Sequence, residues 1–284
     1  MIRSFHHSQY ALARLLEEKR ETVTVVLPAR EVADTVGVIV ERLLGLAPLI
    51  DQVLVVDAGS RDGTADVAAA SGAEVHQESE LLTEFGPVLG KGDAMWRALS
   101  VARGELVVYL DSDTADFSAH FATGLLGPLM CEPDLRFVKG HFRRPFSTPD
   151  GTEQPADGGR VTELTARPLL AAFFPELAAF AQPLASEVAA RRDFFERLPF
   201  ATGYAVETAT LLHAYDALGG TDAMAQVDLD VRLNRHQPLE ALAPMAHEVL
   251  GAVLDRLSAG GRLLEGEHVA PVERPPYATL GARA

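Results

Sequence analysis

The chain has 284 residues, 48% hydrophobic and 23% charged, with a formal net charge of −15 and one cysteine, Cys131. That length can bury a sizeable core as one large domain or two fused lobes. The charge argues against nonspecific binding to nucleic acid or anionic membrane surfaces, so any phosphorylated ligand needs cations concentrated locally. A lone cysteine excludes an intramolecular disulfide framework and fits a reducing cytoplasm. No run of about 20 apolar residues could span a bilayer, and no apolar core resembles a secretory signal. A cytoplasmic protein without a membrane partner is expected.

In chain order, residues 1–21 read as an N-terminal amphipathic helix. The β-branched run "TVTVVLPA" (22–29) predicts a buried strand ending at Pro28, and 35–47 has helical spacing. A second strand is expected over 51–60, then an Ala-rich helix over 62–73 closed by Gly72. "AEVHQE" predicts a third strand, "KGDAMWRALSVARG" (91–104) a helix, and "ELVVYLDSD" a fourth strand. Strands alternating with helices predict a parallel α/β sheet with right-handed crossovers. Ligands bind such sheets beyond the carboxyl ends of the strands, which draws attention to the loops at 28–31, 57–60 and 111–113.

After residue 130 the rhythm changes. "LRFVKGHFRRPF" predicts a strand running into a basic turn, and 147–159 is a Pro/Gly/Asp-rich loop. "RVTELTARPLLAAFFPELAAF", "SEVAARRDFFERL" and "AVETATLLHAYDALGG" read as helices. "MAQVDLDVRLNRHQPLE" reads as a strand entering a polar loop, and "PLEALAPMAHEVLGAVLDRLS" as a long amphipathic helix. The expected organisation is a helix (1–21), one lobe over 22–130, a second over 131–257 and a tail over 258–284.

Asp111 and Asp113 follow an apolar strand, where repulsion and desolvation both cost free energy. Either they cap a solvated loop or something positive sits between them. Two carboxylates at i and i+2 on a strand face one side and can converge on a hard cation, Mg²⁺ or Mn²⁺. D-x-D late in a βαβ series is the arrangement that nucleotide-sugar glycosyltransferases use, with the metal assisting a diphosphate leaving group. Solvated loops also produce the pattern by chance. "VDAGSRDGT" (56–64) places an acid at a strand end and then a tight turn opening a helix, a place for phosphate or a plain βα turn capped by Asp62. Lys91, between glycines at a helix start, could meet a phosphate. Lys139, His141, Arg143 and Arg144 form a basic cluster that could attract an anion or form salt bridges. His76, His213 and His247 read as structural or surface residues.

The series "VLPA…VLVVDAGSRDGT…GKGDAMWRAL…VVYLDSD…GGRVTELTARPLLA…QPLASE…GYAVET…VRLNRHQPLEAL" resembles glucosyl-3-phosphoglycerate synthases and the actinobacterial type of mannosyl-3-phosphoglycerate synthase. These are retaining glycosyltransferases of the GT-A fold, and the likeness covers roughly residues 22–257. It implies a Rossmann-like, parallel-sheet nucleotide-binding core over 22–130 with a C-terminal acceptor-binding lobe over 131–257. It implies transfer of glucose or mannose from a UDP- or GDP-hexose to the 2-hydroxyl of 3-phosphoglycerate, with Mg²⁺ or Mn²⁺ as cofactor, and a homodimer. By similarity, Pro28, Ala29, Glu31, Asp57 and Ser60 line the nucleotide pocket, with Asp111, Ser112 and Arg232 also at the donor. Lys91 approaches the donor, Asp113 is the direct metal ligand, and Gly159, Arg160 and Thr162 hold the acceptor. Leu184 and Tyr204 belong to sugar-contacting segments, and Glu207 stands near the reacting sugar or at a helix interface.

Two departures from the family pattern stand out. Where relatives read P-A-L-N-E-E, this chain has Pro28, Ala29, Arg30, Glu31, Val32 and Ala33, so the expected acid is Val32 and a guanine nucleotide becomes admissible. Where relatives read R-x-H-x-N, this chain has Asn234 in the His position and His236 in the Asn position. Either His236 reaches the metal, or Asn234 supplies an oxygen, or water completes the shell; His236 is favoured, and Asn234 otherwise falls to the acceptor. Alternatives are a related transferase acting on another acceptor such as a lipid phosphate, a nucleotidyltransferase, and a noncatalytic nucleotide-binding module.

Overall fold

The computed structural model describes residues 2–144, 146–147, 153–154, 159–232 and 238–262. The chain begins with strand β1 (Arg3–His6) and helix α1 (Leu12–Glu18). Then β2 (Val23–Ala29), α2 (Val36–Leu44), β3 (Gln52–Asp57), α3 (Thr64–Ala70), β4 (Glu74–Gln77), α4 (Lys91–Ala98) and β5 (Leu106–Tyr109) alternate. Next come α5 (His120–Cys131), β6 (Phe137–Arg143) and a two-stranded hairpin of β7 (Phe146–Ser147) and β8 (Glu153–Gln154). The remainder is α6 (Arg167–Phe173), β9 (Val188–Arg191), α7 (Arg192–Phe195), α8 (Val206–Leu218), β10 (Met224–Val231) and α9 (Leu239–Ala259).

Eight strands form one sheet in the order β1-β10-β6-β9-β5-β2-β3-β4. Every pairing is parallel except those of β9, which runs antiparallel to both β5 and β6. The near-continuous apolar runs of β2 and β3 follow from burial on both faces. Val25 and Leu27 of β2 pack with Val36, Ile39 and Val40 of α2 and with Phe121 and Leu125 of α5. Val26 points the other way, into a second cluster with Ala94 and Met95 of α4, Leu211 of α8 and Val253 of α9. The period of two along each strand assigns these faces.

Three sequence expectations are corrected. The N-terminal stretch is not one helix: Arg3–His6 pairs in register with Ala225–Asp228 and covers the edge of β10, which would otherwise offer unpaired backbone. A 3₁₀ turn follows at His7–Gln9, and only Leu12–Glu18 is α-helical, burying Leu15 alone. The segment around "SEVAARR" is not helical at its start, because Val188–Arg191 fills the slot between β5 and β6 and pairs with both. Its alanines suit a helix in isolation, and tertiary pairing overrides that propensity. Finally, the sheet is not wholly parallel.

The sheet runs through residue 130 without a break, since α5 crosses that position and β6 joins the same sheet. Helix α9 continues to Ala259, and residues 263–284 lie outside the described residues, as does most of the 147–159 loop. No helix among the described residues is long and apolar enough to cross a membrane.

Candidate active site

The carboxyl ends of β2, β3, β5, β6 and β10 meet at one edge, and β9, being reversed, presents its beginning there. Helix α4 delivers Lys91 to this edge through "GKG". A Cβ on Gly92 would fall 1.9 Å from the Ala201 carbonyl oxygen and 2.8 Å from Val206 Cβ, so only glycine permits the approach. That approach sets Lys91 beside Glu207 at the start of α8. Lys91 Nζ donates to Asp111 Oδ1 at 2.7 Å and to Ser186 Oγ at 2.7 Å, and lies 3.0 Å from Glu207 Oε1. Ser186 Oγ in turn donates to Glu207 Oε1 at 3.0 Å.

Arg232, immediately after β10, is wholly buried and completes the array. Its Nη2 donates to Asp111 Oδ2 and Asp113 Oδ1, each at 3.0 Å, and its Nη1 pairs with Glu187. The positive group between the two aspartates is therefore a guanidinium. The two acids differ: Asp111 is enclosed, whereas the Asp113 side chain is 58% exposed and keeps carboxylate surface open to a ligand. Burial opposes ionisation of Asp111, but Lys91 and Arg232 outweigh it and hold the carboxyl far below the usual range. Burial likewise works against the Lys91 ammonium, and Asp111 and Glu207 overcome it, raising its pKa. Burial pushes the Glu187 carboxyl up, against the pull of Arg232.

The cationic half extends onto β6. Arg144 and Arg232 both lie over the Phe142 ring, at 4.7 and 5.0 Å from its centroid. Arg144 Nε is buried without a hydrogen-bond partner among the described residues. Buried Lys139 donates to the Ala185 carbonyl, and burial lowers its pKa to about 8. The basic cluster thus divides: Lys139 and Arg144 face the site, while Arg143 is exposed and pairs with Asp230 at 3.2 Å. A cavity of about 110 Å³ beside Arg144 is lined by Gly159, Thr162, Leu184 and Ala185, among others. Gly159, at φ 96°, takes a backbone conformation that side chains rarely adopt, and its carbonyl accepts from the Glu163 N–H at 3.0 Å. The π-helical turn Thr162–Ala166 follows directly, and Arg160 lies partly buried just ahead of it.

The other side of this edge is built from β2, β3 and β5. Asp57 Oδ2 accepts from Ser60 N (3.1 Å) and Gln77 Nε2 (3.0 Å), while buried Oδ1 has no partner among the described residues. Ser112 Oγ donates to the Pro28 carbonyl at 2.6 Å, so the β5 loop is tied to the end of β2 next to Ala29. Glu31 sits at φ 53°; its N–H donates to Ser60 Oγ, and its carboxylate accepts from the Arg61 N–H, both at 2.9 Å. Val32 is in the core, so the residue standing where relatives carry an acid does not line the pocket.

Most sequence candidates therefore converge on one edge. Tyr204 stands at its margin, half exposed, with its N–H donating to Glu248. Asn234 and His236 lie outside the described residues. Ser186, Glu187 and the buried role of Lys139 were missed as site features. A lysine inside the apolar run "FVKGHF" and an acid directly before "VAAR" were the available signals.

The family model described as Glycosyl transferase family 2 matches residues 24–156. The glucosyl-3-phosphoglycerate synthase of Mycolicibacterium smegmatis is 40% identical over 99% of this chain and 97% of its own length. That of Petrotoga mobilis is 36% identical over 98% and 94%. This chain belongs to the glucosyl-3-phosphoglycerate synthase family. It is a hexosyltransferase with the GT-A fold. Among solved structures, mannosyl-3-phosphoglycerate synthase from Rubrobacter xylanophilus superposes with TM-score 0.84 at 52% identity, covering 92% of this chain and 82% of that one. Glucosyl-3-phosphoglycerate synthase from Mycobacterium tuberculosis, in complex with Mn²⁺, UDP and glucosyl-3-phosphoglycerate, gives TM-score 0.82 at 39% identity over 91% and 88%.

Proposed function

We propose that this hexosyltransferase moves glucose or mannose from a UDP- or GDP-linked donor to the 2-hydroxyl of 3-phosphoglycerate, with retention and with Mg²⁺ or Mn²⁺. The observation that carries the reading is the array Lys91–Asp111–Arg232–Asp113 at the strand ends, adjoining the cavity of Gly159, Thr162 and Leu184. It gathers cations for two phosphorylated substrates on a chain of net charge −15.

The residues present fit a hard cation: Asp113 offers exposed carboxylate oxygen, and Mg²⁺ commonly takes one or two carboxylates together with substrate phosphates. Bound there, the ion supplies Lewis-acid neutralisation of a departing diphosphate. Asp113 would hold it, with His236 or Asn234 as the expected further ligand.

Arg232 aligns Asp111 and Asp113 and adds positive charge beside the diphosphate. Lys91, held charged, orients Asp111 and Glu207 on either side of the sugar position. Ser186 keeps the Glu207 carboxylate turned toward Lys91, where it stabilises positive charge on the reacting sugar. Arg160, Thr162 and the Gly159 backbone take the acceptor's phosphate and carboxylate. The anomeric carbon–phosphate oxygen bond breaks as the 2-hydroxyl oxygen bonds to that carbon from the same face, and the hydroxyl proton passes to the leaving diphosphate.

The test is a donor panel of UDP-glucose, GDP-glucose and GDP-mannose with 3-phosphoglycerate and Mg²⁺, read by mass spectrometry. A hexosylated phosphoglycerate and free nucleoside diphosphate are expected. Absence of product from all three donors overturns the proposal.

A further inference from the structure

Away from the acidic strand end, the sheet edge carries a second set of ligand-type side chains. His7 Nε2 lies 2.6 Å from Asp230 Oδ2, and His6 Nε2 lies 3.4 Å from Asp230 Oδ1. One ligand atom from each of His6, His7 and Asp230 falls within 4.8 Å of the others. We propose that these three residues form a second cation site, selective for borderline transition metals such as Zn²⁺ and distinct from the hard-cation position at Asp113.

The donor set decides the class of ion. Two imidazoles and one carboxylate favour Zn²⁺, Co²⁺ or Ni²⁺ over Mg²⁺, which prefers oxygen alone. Tetrahedral zinc with bonds near 2.0–2.1 Å separates its ligands by about 3.3 Å. The two histidine–carboxylate distances, 2.6 and 3.4 Å to different Asp230 oxygens, lie on either side of that value, and with all three ligand atoms within 4.8 Å of one another side-chain rotations can close the set. The side chains of His6 and Asp230 are each 41% exposed, which leaves room for water as a fourth ligand.

The surroundings are arranged to hold the three ligands. Asp230 adopts φ 66°, rare for a non-glycine residue, at a break in register between β10 and β6. Such irregularities re-aim side chains, here turning the carboxylate toward β1. The His7 ring stacks on His120 at 4.0 Å, and His120 Nε2 donates to the Leu229 carbonyl at 3.0 Å. Ligation through His6 Nε2 puts the ring proton on Nδ1, where Ser8 Oγ accepts it at 2.8 Å. The contact given up is that of the Ser8 N–H, 3.2 Å from Nδ1. Arg143 leans on Asp230 Oδ1 at 3.2 Å, but it is 62% exposed and can retreat into water. A bound ion would pin β1 to the end of β10, two residues before Arg232.

The experiment uses full-length protein stripped of metal by chelator and then kept in excess Mg²⁺, with Co²⁺ as probe. One equivalent should bind with the visible d–d bands of a four- or five-coordinate nitrogen–oxygen site, Zn²⁺ should displace it, and Zn²⁺ should raise the thermal unfolding midpoint. His7→Gln and His6→Gln should each weaken Co²⁺ binding at least tenfold, and Asp113→Ala should leave it unchanged. Two separate variants guard against one failing to fold, which circular dichroism checks. No d–d band, a band that survives in both folded histidine variants, or a band lost in Asp113→Ala would overturn the proposal, leaving imidazole–carboxylate contacts alone.

Discussion

The guanidinium of Arg232 stands 3.0 Å from Asp113 and, through its other terminal nitrogen, neutralises Glu187 in the interior. One cation thus connects an exposed carboxylate to a buried one. Removing it leaves Glu187 uncompensated, and breaking a buried pair costs about 3–5 kcal/mol. Arg232→Met is expected to lose stability of that order in urea unfolding. Adding Glu187→Gln should restore much of it, because an amide needs no counter-charge.

Asp113 is the opposite case. Its exposure means that Asp113→Asn should change folding stability by no more than about 0.5 kcal/mol. Turnover should fall at least about 100-fold if the carboxylate holds the metal, while metal-free nucleotide binding persists. Calorimetric titration with UDP and GDP, with and without Mg²⁺, checks both halves.

Lys139 gives a pH signature. Burial brings its pKa from 10.5 down to about 8. Below pH 8 the ammonium is charged in both folded and unfolded chains, and folding bears the full desolvation cost. Between pH 8 and 10.5 the unfolded chain holds a proton that the folded chain has released, so this group's contribution to stability rises with pH and then flattens. The gain is about 3 kcal/mol. Subtracting the Lys139→Met stability profile from that of the wild type should reveal the rise in that window.

Gly92→Ala tests the close approach that positions Lys91. The added methyl meets the Ala201 carbonyl, so α4 must retreat from α8 and draw Lys91 away from Glu207. A displacement near 1 Å at a reacting centre can cost about 100-fold in rate. Turnover should therefore fall by about that factor, with the nucleotide dissociation constant much less affected.

The parallel half was legible because hydrophobic runs, glycines and acids punctuate it strongly. "VLVVDAGSRDGT" and "VVYLDSD" announce both their strands and the ligand edge. Misreading began where local preference and tertiary context disagree. "VAAR" has little intrinsic β preference and is a strand only because two neighbours require one, and "RSFH" is a strand only because β10 has an open edge. Lys91 and Asp111 were recognisable from their positions at element ends. Ser186 and Glu187 were not, since their place depends on β9 running backwards, which no periodicity encodes. Val32 looked like a missing acid in linear comparison, yet its backbone places it in the core.

The reversal of β9 has an evolutionary corollary. The chain leaves the sheet after Arg143 and re-enters at Val188 on the same rim, because β9 runs antiparallel to β6 and its start lies beside the end of β6. The stretch between them carries Gly159, Arg160, Thr162 and Leu184 and ends in Ser186 and Glu187, which accept from Lys91 and Arg232. A change in that stretch that shifts the start of β9 therefore also moves partners of Lys91 and Arg232, so the two halves of the site are constrained to change together.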